Sequence, residues 1–176
     1  MKRLIRGLDD LCRQGETGIF VIDMQPDFLD QVFFFTELML HSNIRCVLDY
    51  AIDNDIPLIE VQTETEVDNY GETIGPVRRK ILEAPRHFLF TKSKDDALSN
   101  PDVLRQVSKL NLSRIFLMGI YAKFCVYATA RSLFYNGYKV FTSNQVLGEC
   151  KWGYLNLESK ERRERQRWYR KNVDFI

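Results

Sequence analysis

The chain has 176 residues, 45% of them hydrophobic, enough for a single domain with a full core across residues 1–176. Its 25 Lys and Arg against 24 Asp and Glu create no overall field that draws nucleic acid or an anionic membrane, so the expected partner is a small-molecule substrate or another protein. Two histidines, His41 and His87, and four cysteines with no CxxC or ligand spacing argue against a histidine-built zinc site, with no metal and no cofactor expected.

Unpaired cysteines fit reduced thiols in the cytoplasm. Residues 1–15 are charged throughout, without an apolar signal region, and nowhere does an apolar run approach membrane-spanning length. Leu4, Ile5, Leu8 and Leu11 share one face of a lead-in helix. The run Gly18-Ile19-Phe20-Val21-Ile22 then reads as a buried strand that stops at Asp23, with Pro26 preventing its continuation. A carboxylate there needs a charged or hydrogen-bonding answer. Asp23 fits either a loop cap or a catalytic group.

Phe33-Phe34-Phe35 is expected in a loop, covering a site or a subunit interface. Ile44, Val47, Leu48, Ala51 and Ile52 predict a helix over about 42–54, with an earlier start left open, His41 on its surface and Cys46 in its core. Residues 57–62 form the second strand, and the polar run TETEVDN follows as a loop. A helix over about 73–82 carries Val77 and Ile81 inward. His87 to Thr91 is the third strand, with Lys92 at its carboxyl end and Lys94 a nearby competitor for any role given to Lys92. Ser99 or Asn100 caps the next helix, with Pro101 in its first turn.

Ile115 to Met118 is a fourth buried strand broken by Gly119, after which the period changes: Cys125, Val126, Thr129, Ala130, Leu133 and Phe134 mark one stripe of a helix ended by Gly137. Tyr138 to Thr142 is the fifth strand, a charged helix spans about 157–171, and Val173 to Ile176 is the last strand. Cys125 falls in the first turn of its helix, where free N–H groups and the dipole favour a thiolate and lower its pKa. A small apolar residue packed at a helix start fits the same position.

Strands alternating with helices predict an α/β, doubly wound, mostly parallel six-stranded sheet with helices on both faces. Ligands bind such sheets beyond the carboxyl ends of the strands, and Asp23, Lys92 and Cys125 each follow a different strand end. No glycine-rich phosphate loop follows the first strand, which disfavours a nucleotide.

VIDMQPDF, Lys92 with Ala97 and Leu98 beyond it, and MGIYAKFCVYATARSLFYNGYKV together resemble the isochorismatase-like cysteine hydrolases over roughly residues 18–142. The resemblance implies the strand order 3-2-1-4-5-6 and a catalytic triad of Asp23, Lys92 and Cys125. It further implies an oxyanion turn of Ile120, Tyr121 and Phe124 with a cis peptide between Ile120 and Tyr121, a substrate pocket at Phe28, Gln62 and Tyr121, and a homo-oligomer. The implied reaction cleaves a C–N bond of a small amide, ureide or carbamate through a thioester. The alternatives are enol-ether hydrolysis without cysteine attack and a non-catalytic binding member. Three departures bear on the substrate. Ala122-Lys123 stands where many members have Thr-Asp, TETEVDNYGE lacks the histidines of metal-binding nicotinamidases, and Ser143-Asn144 replaces Asp-Ala.

Overall fold

Alternation within the apolar strands decides the architecture, because successive side chains leave a strand on opposite faces. In the first strand Ile19 and Val21 enter one core and Phe20 and Ile22 another, all of them 0% exposed. A sheet apolar on both faces requires helices on both.

The computed structural model describes residues 2–30, 32, 34–64, 70–149 and 159–176, with only the backbone described at 34–36 and 159. Its first half runs α1 (Lys2–Arg13), β1 (Thr17–Ile22), the single-turn α2 (Pro26–Leu29), α3 (Phe34–Asp53), β2 (Leu58–Thr63), α4 (Gly75–Ile81) and β3 (His87–Lys92). A 3-10 turn at Ala97–Ser99 leads to α5 (Pro101–Lys109), β4 (Arg114–Ile120), α6 (Cys125–Tyr135), β5 (Lys139–Thr142), β6 (Leu147–Gly148), α7 (Ser159–Asn172) and β7 (Asp174–Phe175). All the pairings are parallel, in the order β3-β2-β1-β4-β5-β7. The two-residue β6, which pairs with β4 beyond the end of β5, is an addition to the expected six strands and makes the last strand the seventh.

Helices α1, α3 and α4 cover one face, burying Leu4, Leu8, Ile44, Leu48 and Val77 against Ile19, Val21, Phe116 and Met118. Helices α5, α6 and α7 cover the other, where Val103, Val126, Leu133 and Tyr169 meet Phe20, Ile22, Ile59 and Leu117. Full burial of each such side chain stabilises the fold by roughly 1.5–3 kcal/mol. Asn100 is the cap of α5, its side chain accepting from the Asp102 N–H at 2.9 Å.

Helix α3 starts at Phe34, well before Ser42, so Phe34 and Phe35 belong to a helix and not to a loop. No glycine or proline interrupts the chain between Phe33 and Asp53, which leaves nothing to stop the helix from extending back. Phe33, most of the TETEVDN run and residues 151–158 lie outside the described residues. His41 and Cys46 are both half-buried. Among the described residues no helix is long and apolar enough to cross a membrane.

Two features position the sheet rim. The first is Gly119, at φ +141 and in register with Ile22; a Cβ there would lie 2.1 Å from the Ile22 carbonyl oxygen. Only glycine lets β4 approach β1 this closely just before β1 ends at Asp23. The second is a polar cluster under β2 that patterning did not reveal. Glu60 is 0% exposed, with His87 Nε2 at 2.7 Å from its Oε2 and the Gln62 amide donating to its Oε1 at 2.8 Å. The same amide nitrogen donates to Thr73 Oγ1 at 3.1 Å. Burial pushes the Glu60 carboxyl up, but hydrogen bonds with His87, Thr73 and Gln62 outweigh it and hold the group below its ordinary value of 4.5.

Gly119→Ala is expected to lower stability by about 2 kcal/mol or more through the clash and the backbone angle. Gly137→Ala, at φ +89 with open space around it, has only the angle to bear and is expected to cost about 1 kcal/mol. Urea unfolding of both variants checks the difference. A depressed carboxyl stabilises the fold above 4.5 and loses that contribution as pH falls. Glu60→Gln should therefore cost roughly 1–2 kcal/mol at neutral pH. The gap to wild type should close in denaturation curves taken well below pH 4.5.

Candidate active site

Asp23 follows β1 directly, in the left-handed region at φ +52, with its N–H donating to the Val61 carbonyl at 2.9 Å. Asp tolerates that backbone better than most residues. The reversal turns its carboxylate over the end of β2, where Thr63 is the last residue, and β3 brings Lys92 to the same level because Thr63 and Lys92 are in register. Lys92 closes β3 and does not lie beyond it.

These three residues form a closed buried network. Lys92 Nζ lies 2.8 Å from Asp23 Oδ2, both side chains being 0% exposed, and donates to Thr63 Oγ1 at 2.7 Å. The Thr63 hydroxyl in turn donates to Asp23 Oδ1 at 2.9 Å. Among the described residues Asp23 Oδ2 has the ammonium beside it and no aligned hydrogen-bond donor, which leaves it a lone pair for a further donor. Gln25 holds the Thr63 backbone from both sides, accepting from its N–H at 2.8 Å and donating to its carbonyl at 3.0 Å. The amide also donates to the Gly71 carbonyl at 2.7 Å, tying the loop after β2 to the rim.

Cys125 comes to this network from β4, the other neighbour of β1. It is 6% exposed, opens α6, and faces both Asp23 and Asp95, whose Oδ1 is 3.9 Å from the sulfur. The expectation of a depressed thiol is reversed: burial pushes Cys125 well up, and the charge of Asp23, a hydrogen-bond interaction with it and the charge of Asp95 add to the rise. The Lys92 ammonium pulls the other way but does not prevail, because it is already balanced by Asp23. The resting thiol is therefore neutral and aimed at a carboxylate. Lys94 and Asp95 are exposed, so Lys92 is the lysine that reaches the network.

The turn before Cys125 contains trans peptides only, contrary to the expected cis bond at Ile120–Tyr121. Tyr121 instead makes the reversal by taking φ +60, a conformation that costs a bulky residue about 1–2 kcal/mol. Ile120 is buried at the end of β4. The Tyr121 carbonyl accepts from the N–H of Phe124 at 2.8 Å and of Val126 at 3.3 Å, while the Ala122 N–H donates to Gly148 at 3.0 Å. Those three groups are committed to the turn. The Cys125 N–H, at the start of α6, has no backbone acceptor among the described residues.

Phe28 and Tyr121 come together beside this turn, their ring centroids 5.3 Å apart, with Tyr70 stacked on Phe28 at 4.7 Å and Phe124 6.3 Å from Tyr121. Gln62 does not join them. It leaves β2 on the face opposite Thr63 and is bound to Glu60 and Thr73, since residues two apart share a face and Thr63 lies one residue further. A cleft of about 430 Å³ bordered by Glu64, Thr91, Ser93 and Asn100 reaches Lys92 from the β3 side.

Thr63, Gln25 and Asp95 escaped sequence reasoning. For Thr63 a usable signal existed: it ends the strand beside β1, and with β1, β2 and β3 adjacent its side chain had to meet the residues ending the other two.

The model of the Isochorismatase domain matches residues 17–145. Isochorismatase family protein 2A of Dictyostelium discoideum is 27% identical over 139 residues, covering 70% of this chain and 62% of the relative, so the chain spans less than two thirds of that protein. Among solved structures, N-carbamoylsarcosine amidase from Thermoplasma acidophilum superposes with a TM-score of 0.73 at 14% identity, over 92% of this chain and 95% of that one. The nicotinamidase of Staphylococcus aureus gives 0.73 at 15% identity, over 91% and 96%. These two likenesses establish a common fold. Because the matched segment runs from β1 past β5 and covers most of the chain, the protein belongs to the isochorismatase family.

Proposed function

We propose that the protein is a cysteine hydrolase that cleaves a C–N bond of a small amide, ureide or carbamate through a thioester. The observation that carries this reading is the neutral Cys125 thiol facing a carboxylate whose Oδ2 has no aligned donor among the described residues and whose charge is balanced by a buried ammonium. Family membership supports hydrolysis.

In the first step the sulfur adds to the substrate carbonyl carbon while its proton passes to Asp23, so that thiolate character arises only as the S–C bond forms. The carbonyl electron pair moves onto oxygen, where the Cys125 N–H is a donor; one such contact is worth on the order of 3 kcal/mol. Collapse breaks the C–N bond, and Asp23 returns the proton to the leaving amine. Water then adds to the thioester, giving a proton to Asp23, and the acid departs as the thiol regains it. Lys92 and Thr63 hold the carboxylate in one orientation throughout, Thr63 by its hydroxyl and Lys92 by charge. Phe28 and Tyr121 offer an apolar wall to a small planar substrate.

A screen of small amides, ureides and carbamates with ammonia detection identifies the substrate. Cys125→Ala should abolish turnover while leaving the circular dichroism spectrum and melting temperature close to wild type. Asp23→Asn should also abolish it, and a Cys125→Ala variant that stays active while Asp23→Asn does not would transfer the reaction to enol-ether hydrolysis. A second expectation follows from the raised thiol. Alkylation of Cys125 by iodoacetamide should be slow at neutral pH and should still be climbing above about pH 10.5, where an ordinary thiol has levelled off. Mass spectrometry of the modified peptide across a pH series reads this; a plateau near neutrality would remove the proton-transfer step.

A further inference from the structure

We propose that α7 is a clamp on the turn preceding Cys125 and that Tyr169 and Arg165 are positioning residues for the reaction, an inference that rests on the thioester reading. Two consecutive peptide carbonyls of the turn are held by this one helix. The Tyr169 hydroxyl donates to the Ala122 carbonyl at 2.6 Å, and the Arg165 guanidinium donates to the Lys123 carbonyl. Arg165 is itself fixed by Glu161 one turn earlier and lies over the rings of Phe124, at 5.2 Å, and Tyr127, at 5.1 Å. Lys123 is tied down separately, its ammonium 2.6 Å from Glu149.

The geometry of the peptide unit turns these contacts into control of the site. In a trans peptide the C=O and N–H point in opposite directions, so a carbonyl gripped from one side sends its N–H to the other. Helix α7 precedes β7 at the far edge of the sheet, whereas Asp23 and Lys92 lie on β1 and β3 towards the opposite edge. Gripping Ala122 from the α7 side directs the Lys123 N–H away from α7. Gripping Lys123 does the same for the Phe124 N–H, which closes on Tyr121.

These donors add to the bonds the turn makes within itself, with Gly148 and with Glu149. Tyr121 sits in the left-handed region at φ +60, and Phe124, the N-cap position of α6, provides no side-chain cap. Strained backbone of this kind persists only when its surroundings over-determine it. Tyr169 suits this role because it is 8% exposed and burial pushes its hydroxyl well above the ordinary range, so it remains a neutral donor. The clamp thus fixes where the Cys125 N–H and sulfur sit relative to Asp23, with Tyr169 and Arg165 acting through the backbone carbonyls they hold.

The test separates reactions that build an oxyanion from one that does not. Acetaldehyde adds to a cysteine thiol to form a thiohemiacetal: the S–C bond forms, the C=O π pair moves to oxygen, and the thiol proton is transferred to it. Iodoacetamide alkylation displaces iodide and develops no such oxygen. For Tyr169→Phe and Arg165→Met we expect capture of ¹³C-acetaldehyde at Cys125, read by NMR against Cys125→Ala, to weaken about tenfold or more. Alkylation should stay within about twofold of wild type at the same pH, and turnover of any substrate found should fall in kcat with KM little changed. Arg165→Lys, which keeps a donor, should recover part of the loss relative to Arg165→Met. Unaltered aldehyde capture in both variants would overturn the clamp, as would a parallel loss of capture and alkylation, which marks a structural role. A fully active Cys125→Ala overturns the thioester reading itself, and that result is distinct from any behaviour of the α7 variants.

Discussion

The ion pair between Lys92 and Asp23 is the constraint around which the rim of the sheet is arranged. Both side chains are fully buried, and burying two charges carries a desolvation penalty that their attraction seldom exceeds. A hydrophobic pair of similar volume would serve stability equally well. What the pair does provide is a negative charge held beside Cys125 with its position defined by two further bonds, from Thr63 to Asp23 and from Lys92 to Thr63. Its neighbours are explicable as answers to that burial: Gln25 grips the Thr63 backbone, and Gly119 lets β4 come close enough to carry Cys125 to the same spot.

The direction of the thiol shift follows from this arrangement and changes the chemistry assigned to it. A helix start by itself favours a thiolate. Here burial and two carboxylates act against it, and the Lys92 ammonium is already balanced by Asp23. The group is consequently a neutral thiol facing Asp23 and Asp95 in the resting state. On the proposed mechanism nucleophilicity is generated in the reaction step, in contrast to a site that stores a reactive thiolate and exposes it to adventitious oxidation.

Backbone strain gathers at the same rim. Asp23 and Tyr121, both in the left-handed region, stand at the ends of the two central strands β1 and β4. Asp55 and Asn111 share that backbone but occupy surface turns, where short polar side chains accept it readily. Tyr121 is different, being bulky, and the rings of Phe28 and Phe124 together with the α7 donors surround its turn. Strain with that much support is a feature of sites that need one defined geometry.

Much of this was readable from the residues alone, and the limit has a physical basis. The strands announced themselves as short apolar runs, and the places where they stop, at Asp23, Lys92 and Gly119, are local events in the chain. Once the strands are parallel, their carboxyl ends share one rim, so Asp23, Lys92 and Cys125 could be grouped without coordinates. Tertiary structure decided the rest, because it depends on distance and direction between segments far apart in sequence. Gln62 and Thr63 are adjacent in the chain and both polar, yet the pleat sends one to Glu60 and the other to Asp23. The sign of the Cys125 shift needed the burial and charges around it, and the hold of Tyr169 on Ala122, 47 residues away, left no periodic trace because a single hydrogen bond imposes none.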